Sequence, residues 1–218
     1  MDNLCMTNIS NIKVGKFIVF EGLDRSGKST QSKLLVEHLK KKNVDVKHLC
    51  FPNENRVPNH ILHVSVYKHR MTFNYIFAVF LLLRKHDIRS EIKNLLSKGT
   101  WVVCDRYAYS GVAYSAGALK LAKSWCMNPD QGLIKPDVVF YLNVSPSYAK
   151  NRSEYGEEIY EKIEVQKKIY ETYEHFSEED YWINVDATKK IDDIHNDIVQ
   201  EVSKLKQAEE EQFKYLWS

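Results

Sequence analysis

The sequence has no strong excess of charge of either sign. Its 31 Lys and Arg residues nearly balance 29 Asp and Glu residues, which leaves a net charge of +2 at pH 7. Such a chain offers no general basic field that would attract a polyanion or an acidic membrane surface. We therefore predict no nucleic-acid partner and no membrane association, and any phosphate must be bound by a local site.

Long apolar runs and paired cysteines are also missing. The longest apolar run, residues 76–83, falls far short of the about 20 residues that span a bilayer, and the first residues contain no signal-peptide core. The four cysteines are widely separated and form no C-x-x-C pair, which argues against a zinc site or a disulfide framework. We expect reduced thiols and a cytoplasmic location.

Five short apolar segments alternate with helical patterns along the chain. The strand candidates are residues 17–20, 44–49, 101–104, 138–144 and 182–185, and helical patterns cover about residues 28–41, 157–176 and 191–212. Strands that are apolar along their whole length are typical of a parallel sheet covered on both faces. The sequence therefore predicts an α/β fold with a five-stranded parallel sheet flanked by helices. We expect a single domain over residues 1–218, with a disordered tail over about residues 1–14.

A phosphate-binding loop (P-loop) follows the first strand. Residues 22–29 match G-x-x-x-x-G-K-[ST] through Gly22, Gly27, Lys28 and Ser29. The glycines let the backbone curl around phosphate oxygens, and the following helix points its first N–H groups at the anion. Lys28 adds a point cation, and the Ser29 hydroxyl is a ligand for Mg²⁺. The alternative is a plain glycine turn between a strand and a helix.

An acidic residue ends the third strand, where Asp105, Arg106 and Tyr107 follow one another. In an open α/β sheet, ligands bind outside the carboxyl ends of the strands. Asp105 is therefore a candidate to hold Mg²⁺ near the P-loop, and Arg106 offers a bidentate fork to phosphate. Taken alone, the same three residues also fit a simple salt bridge at the end of a strand.

Two charged residues lie inside the P-loop itself. Arg25 could reach the transferring phosphoryl group, as an arginine finger supplied by the same chain does. Asp24 could accept a hydrogen bond from a substrate hydroxyl. The alternative is a local ion pair between Asp24 and Arg25 that holds the loop together.

Together these segments resemble the thymidylate kinases. The matching stretches are FEGLDRSGKST (20–30), FP (51–52), DRYAYSGVAYSAGA (105–118), MNPDQGLIKPDVVFYLNV (127–144) and NRSEYGEEIYEKIE (151–164). The resemblance implies a P-loop NTPase fold of the nucleoside monophosphate kinase type, with a short lid at about residues 153–158. It also implies transfer of the γ-phosphoryl group of ATP to dTMP for dTTP biosynthesis, and a homodimer.

The same resemblance implies a role for each candidate residue. ATP would be bound by Gly22, Ser26, Gly27, Lys28, Ser29 and Thr30, and Mg²⁺ by Ser29 and Asp105. Catalysis would rest on Asp24, Arg25, Lys28 and Arg106. The dTMP site would consist of Asp24, Phe80, Arg84, Arg106, Ser110, Tyr114 and Tyr160. The lid carries no basic residue, so the resemblance assigns the catalytic arginine to Arg25.

Residues 54–90 depart from the family pattern. Glu54 stands where the family carries an arginine for the acceptor phosphate, and Arg56 is the candidate to replace it. Phe80 and Arg84 keep the expected spacing of four inside an apolar stretch, which fits a buried helix or a mis-assigned piece of coding sequence. Two alternatives stay open on this basis: a nucleotide-binding protein with an impaired acceptor site, and a deoxynucleoside kinase. A GTPase switch is not favoured, because the guanine-specifying N-K-x-D is absent.

Overall fold

The structure, a computed structural model, describes residues 13–51, 88–150, 152, 163–205 and 213–218. Most of the predicted N-terminal tail lies outside these ranges, and Val14, at its end, is partly buried against the core. None of the described cysteines forms a disulfide. No helix within the described ranges is long and apolar enough to cross a membrane.

All five predicted strands are present and pair in parallel. They are β1 (Phe17–Glu21), β2 (Val46–Cys50), β3 (Trp101–Asp105), β4 (Val138–Asn143) and β5 (Trp182–Asp186). Their order across the sheet is β2-β3-β1-β4-β5. Each lies within two residues of its predicted bounds. Residues buried on both faces define β1, β3 and β4, whereas β2 has one buried residue, Leu49. The predicted five-stranded parallel sheet is confirmed.

Helices cover both faces of the sheet. Their bounds are Lys28–Lys41, 88–97, Ala108–Leu119, Lys123–Met127, Pro146–Lys150, Ile163–Glu174 and Ile191–Ser203, with a short 3₁₀ turn at Asn128–Asp130. The first helix matches its prediction at both ends. The last helix ends at Ser203, so its predicted continuation is wrong at Lys204 and Leu205. Val202 is its last buried residue, and Leu205, just past its end, is partly buried against the core.

The core is divided between the two faces of the sheet, because side chains alternate along each strand. Phe17 and Val19 of β1 point to one side, which we call the aromatic face, and Ile18 and Phe20 point to the other, which we call the aliphatic face. The aromatic face includes Tyr107, Tyr109, Tyr141, Tyr173, Phe176 and Trp182. The aliphatic face includes Leu35, Leu39, Val103, Leu142, Ile194, Ile198 and Val202.

The central strand positions the functional groups. β1 lies between β3 and β4, and Phe20 is in register with Asp105 on β3. The carboxyl ends of β1 and β3 therefore lie side by side. The chain continues from β1 to β2 on one side of the sheet order and from β3 to β4 on the other. This end is therefore the expected place for a ligand crevice.

Candidate active site

The P-loop connects β1 to the helix Lys28–Lys41, as predicted. Gly22 has a φ of 141°, and a Cβ there would lie 2.7 Å from the carbonyl oxygen of Leu142 on β4. Gly27 caps the helix with a φ of 101°. Only glycine adopts such torsion angles without strain. The loop therefore keeps its shape, and the first N–H groups of the helix face the space that it encloses.

Lys28 is folded back over the loop. Its Nζ donates hydrogen bonds to the carbonyl oxygen of Leu23 at 2.5 Å and to Ser26 Oγ at 3.4 Å, and the residue is only 4% exposed. Burial, and then the charge of Arg106, lower the pKa of Lys28 to about 7, although nearby carboxylates oppose the shift. An incoming phosphate would add negative charge and favour the protonated lysine.

Ser29 and Asp105 meet at the first turn of that helix. The Ser29 hydroxyl donates a hydrogen bond to Asp105 Oδ2. The second carboxylate oxygen, Asp105 Oδ1, is buried and has no hydrogen-bond partner among the described residues. A buried carboxylate oxygen needs a donor, a water or a cation. A hydroxyl beside a carboxylate is a set of hard oxygen donors that fits Mg²⁺, which retains several of its own waters.

Arg106 forms an ion pair with Asp24 across the loop, through Nη2 and Oδ1. The sequence left a local pair between Asp24 and Arg25 open as an alternative, and the structure gives Asp24 a partner that directly follows β3. Burial disfavours the ionised form of Asp24, yet the charges of Arg106 and Lys28 outweigh it and lower the pKa of this carboxyl. Asp24 is therefore a carboxylate at neutral pH.

Two predicted acceptor-site residues surround the Arg106 guanidinium. Its Nη1 donates to Ser110 Oγ at 3.3 Å, and its Cζ lies 5.3 Å from the centre of the Tyr114 ring. Both residues belong to the helix Ala108–Leu119, which begins two residues after Arg106. The short spacing in sequence thus becomes a cluster in space, because the chain turns directly from β3 into the helix.

Left-handed backbone marks both arginines of the site. Arg25 has a φ of 66° and Arg106 a φ of 67°. This conformation is unfavourable for a residue with a Cβ, and it persists where the surrounding structure holds it, often at functional sites. The two residues lie in the P-loop and directly after β3, so both are beside the predicted phosphates.

Glu21 is a buried carboxylate to which the sequence analysis assigned no role. It ends β1 and is 0% exposed. Its Oε1 accepts from the N–H groups of Tyr107 at 2.8 Å and Ser110 at 3.1 Å. Its Oε2 accepts from the hydroxyls of Ser110 at 2.5 Å and Tyr173 at 3.0 Å. Burial raises the pKa of Glu21, and the Ser110 hydrogen bonds and the charge of Arg106 limit the rise.

Arg152 supports the P-loop from outside. Its role was not predicted from the sequence. Its Nη1 donates to the carbonyl oxygens of Arg25 at 3.4 Å and Ser26 at 3.2 Å, and its Nη2 donates to the carbonyl oxygen of Ala187 at 2.5 Å. Its Cζ lies 4.9 Å from the centre of the Tyr148 ring. The loop carbonyls are thereby tied to the segment that follows β5.

Other predicted residues are distributed as follows. Ser26 is buried in the loop, and Thr30 is exposed on the first turn of the helix. Phe80, Arg84 and Tyr160 lie outside the described residues, as do Glu54, Arg56 and the predicted lid at about residues 153–158. The structure therefore brings together the P-loop, the Ser29–Asp105 pair and the Arg106 cluster.

The family model described as thymidylate kinase matches residues 20–198. The chain is 66% identical over 206 residues to the thymidylate kinase of Plasmodium falciparum, covering 94% of this chain and 98% of that protein. It is 33% identical over 206 residues to the thymidylate kinase of Homo sapiens, covering 93% and 97%.

A solved structure of thymidylate kinase from Candida albicans is similar in fold. It superposes with a TM-score of 0.76 at 24% identity and covers 93% of this chain and 98% of that one. The likeness shows that the two chains share a fold. The family model matches most of the chain, and the relatives match nearly all of it. These sequence matches show the family as well as the fold. The chain belongs to the thymidylate kinase family.

Proposed function

We propose that the protein is a thymidylate kinase, which transfers the γ-phosphoryl group of ATP to dTMP and forms ADP and dTDP for dTTP biosynthesis. Membership of the family and 66% identity to a relative of that name support the reaction. The structural observation that carries the proposal is the meeting of Lys28 and Arg106 at one end of the sheet. A reaction between two phosphate esters requires cations on both sides of the transferring group.

The P-loop is the proposed ATP site. Its N–H groups and the N-terminus of the helix Lys28–Lys41 would hold the phosphate oxygens, together with the side chains of Lys28, Ser29 and Thr30. Gly22 and Gly27 permit the curved backbone, and Ser26 supports the position of Lys28 through the contact at 3.4 Å. The Arg152 contacts to the loop carbonyls keep this cradle in shape before the nucleotide arrives.

Ser29 and Asp105 are the residues that would hold Mg²⁺. The unpartnered Asp105 Oδ1 supports this assignment. When bound beside the donor phosphates, the ion supplies charge neutralisation for the oxygens that become more negative during transfer. The protein's own contribution is to keep one hydroxyl and one carboxylate facing the same point.

The remaining charged groups would act on the transfer itself. The acceptor phosphate is already an anionic nucleophile, so the reaction needs alignment and charge stabilisation more than a strong base. We assign Arg25 to the transferring group and Arg106 to the phosphates of both substrates. Asp24 would accept from the 3′-hydroxyl of the deoxyribose, and Ser110 and Tyr114 would line the nucleoside pocket.

Several parts of the proposal rest on the family resemblance. Phe80, Arg84 and Tyr160 stay predicted contacts of dTMP, and the lid at about residues 153–158 stays a predicted cover that excludes water. The homodimer and the cytoplasmic location are predictions of the same kind. The comparisons do not favour an impaired nucleotide-binding protein or a deoxynucleoside kinase, because the named relatives are thymidylate kinases.

A coupled assay of ADP release tests the function directly. Purified protein with ATP and Mg²⁺ is offered dTMP, thymidine, dGMP, UMP or no acceptor in parallel. We expect turnover with dTMP far above the rate without acceptor. Turnover with thymidine but not dTMP would show a nucleoside kinase instead, and ATP binding without any turnover would show an impaired acceptor site.

A further inference from the structure

Glu21 is bonded to the peptide group that follows Arg106, although no step of the proposed reaction uses it. The Arg106 N–H donates to the carbonyl oxygen of Phe20 at 2.9 Å, and the next N–H, of Tyr107, donates to Glu21 Oε1 at 2.8 Å. The end of β1 therefore fixes the backbone on both sides of the Arg106 Cα. These two bonds help to offset the left-handed conformation at Arg106, where φ is 67°.

Glu21 also caps the helix that carries Ser110 and Tyr114. Tyr107, at the N-cap of Ala108–Leu119, makes no capping hydrogen bond with its own side chain. The Glu21 carboxylate takes that place from a distant strand, because it accepts from the N–H groups of Tyr107 and Ser110. An acceptor with negative charge stabilises a helix N-terminus. The direction of this helix relative to the P-loop therefore depends on Glu21.

The same carboxylate determines which way the Ser110 hydroxyl faces. The Ser110 hydroxyl donates to Glu21 Oε2 at 2.5 Å, and Ser110 Oγ also lies 2.9 Å from the hydroxyl of Tyr173, which donates to the same carboxylate oxygen. The lone pairs of Ser110 Oγ then face Arg106 Nη1, which donates at 3.3 Å. Reversing the Ser110 hydroxyl would place its proton against a guanidinium N–H. The buried carboxylate of Glu21 thus sets the direction of the hydrogen bonds that link Glu21, Ser110 and Arg106.

We propose that Glu21 is the positioning residue of Arg106, because it fixes both the backbone turn and the Ser110 hydroxyl that hold the guanidinium beside the P-loop. It acts through Arg106 and touches neither substrate. The inference rests on the proposed function, because it assigns a supporting role to a residue that contacts the proposed active site. It goes beyond the resemblance, which assigns no role to this carboxylate.

A double-mutant cycle tests this assignment. Glu21→Gln keeps an oxygen for the two backbone N–H groups but turns an NH₂ group towards the Ser110 hydroxyl. Arg106→Lys keeps the charge and removes the planar fork. The value of kcat/KM for the acceptor is measured for the wild type, both single variants and the double variant. The acceptor is whichever compound the wild type uses fastest in the assay above, so a failure of the dTMP assignment is seen in the wild type alone.

We expect Glu21→Gln to lower kcat/KM about 10–100-fold, as loss of a supporting hydrogen bond does behind other reactive groups. The double variant should then match Arg106→Lys within about twofold, because a residue that acts only through Arg106 has nothing left to position. Multiplicative losses, or wild-type kinetics for Glu21→Gln, would overturn the proposal.

Two further variants separate positioning from general damage. Asp137→Asn is the matched control, because Asp137, like Glu21, accepts a hydrogen bond from a backbone N–H. Its donor is Phe17, at 2.8 Å, which lies at the end of β1 away from the site. We expect a lower melting temperature for Asp137→Asn with unchanged kcat/KM. If Glu21→Gln does not fold, Glu21→Asp takes its place in the cycle, since it keeps a carboxylate but shortens its reach to the Ser110 hydroxyl and the two backbone donors. Additive losses in that cycle would equally refute the inference.

Discussion

The two faces of the sheet are both buried but chemically different. On the aliphatic face, the helices Lys28–Lys41 and Ile191–Ser203 pack mainly through branched apolar side chains, with few polar contacts such as that from Gln31 Nε2 to the carbonyl oxygen of Ile191 at 2.9 Å. On the aromatic face, hydroxyls are embedded in the packing: Tyr109 Oη lies 3.1 Å from Tyr181 Oη, and Tyr107 Oη donates to the carbonyl oxygen of Ile134 at 3.2 Å. Buried tyrosines combine a large apolar ring with a group that must find a partner.

This difference separates stability from alignment. Aliphatic contacts are non-directional, so most of the packing that holds the P-loop helix against the sheet does not specify an angle. The contacts of the aromatic face are directional and reach the site, because the Tyr173 hydroxyl donates to the same Glu21 oxygen as Ser110. We conclude that changes on the aromatic face should affect catalysis and stability together, whereas changes on the aliphatic face should affect stability alone.

The largest expected effect belongs to neither face. Arg25 lies in the P-loop and is half-buried, so Arg25→Ala removes a charge without opening the core. We expect kcat to fall about 10³-fold, the scale of a lost arginine finger, with the melting temperature and the affinity for ATP unchanged. Steady-state kinetics and ATP titration measure both quantities. If kcat held and only ATP binding weakened, Arg25 would be a ligand of the donor and not a catalytic group.

A matched pair of core truncations tests the comparison itself. Ile198 on the aliphatic face and Ile169 on the aromatic face are both 0% exposed. Either change to Ala should lower the free energy of unfolding by about 3 kcal/mol, through lost burial and a cavity. We expect kcat/KM to be unchanged for Ile198→Ala and about tenfold lower for Ile169→Ala, because Ile169 shares a helix with Tyr173 and small displacements weaken alignment. Equal activities for the two variants would break the proposed division.

Lys28 provides a pH test of the donor side. Its pKa is about 7 in the free protein, and bound phosphates favour the charged form, so ATP binding should take up a proton above pH 7. Affinity for ATP should therefore fall by up to about tenfold per pH unit between pH 7 and 9. Calorimetry in buffers of different ionisation enthalpy measures the proton uptake directly. The Lys28→Met variant should bind ATP weakly with no such uptake, and a slope that survives in this variant would assign the proton to another group.

The smallest effect is expected at a single hydroxyl of the aromatic face. Tyr109→Phe keeps the ring contacts with Phe176 and Trp182 and removes the hydrogen bond to Tyr181. We expect the free energy of unfolding to fall by about 1 kcal/mol, the usual net value of one such bond. Thermal denaturation followed by circular dichroism is the measurement. No change at all would mean that the hydroxyls of this face contribute little beyond their rings.

Much of the fold was predictable because its signals are local. The strand positions follow from runs of β-branched and aromatic residues, and the P-loop helix begins at the lysine that its motif requires. The end of the last helix was predicted wrongly, because the helix ends at Ser203 although Leu205 still packs against the core. The spacing of apolar residues does not by itself fix the residue at which a helix ends.

The site was predictable in its motifs and less so in its pairings. Ser29 with Asp105 and Arg106 with Ser110 were each named, and the structure brings them together. The partner of Asp24 was not foreseen, because it lies on another strand. Glu21 had one signal, a lone acid at the end of an apolar strand. Its hydroxyl partners are distant in sequence, so their meeting depends on the complete sheet.

The central position of β1 has a consequence for biosynthesis. β1 emerges from the ribosome before the other strands, yet it pairs with β3 about 85 residues later and with β4 about 120 residues later. At the usual rate of translation, the second of these neighbours follows after about 6–24 s. During that interval the backbone N–H and C=O groups on the β4 side of β1 remain unpaired, a state that favours association with other chains. The central strand therefore gains its second neighbour only after β4 has been made, and the packing of Gly22 against Leu142 can form only then.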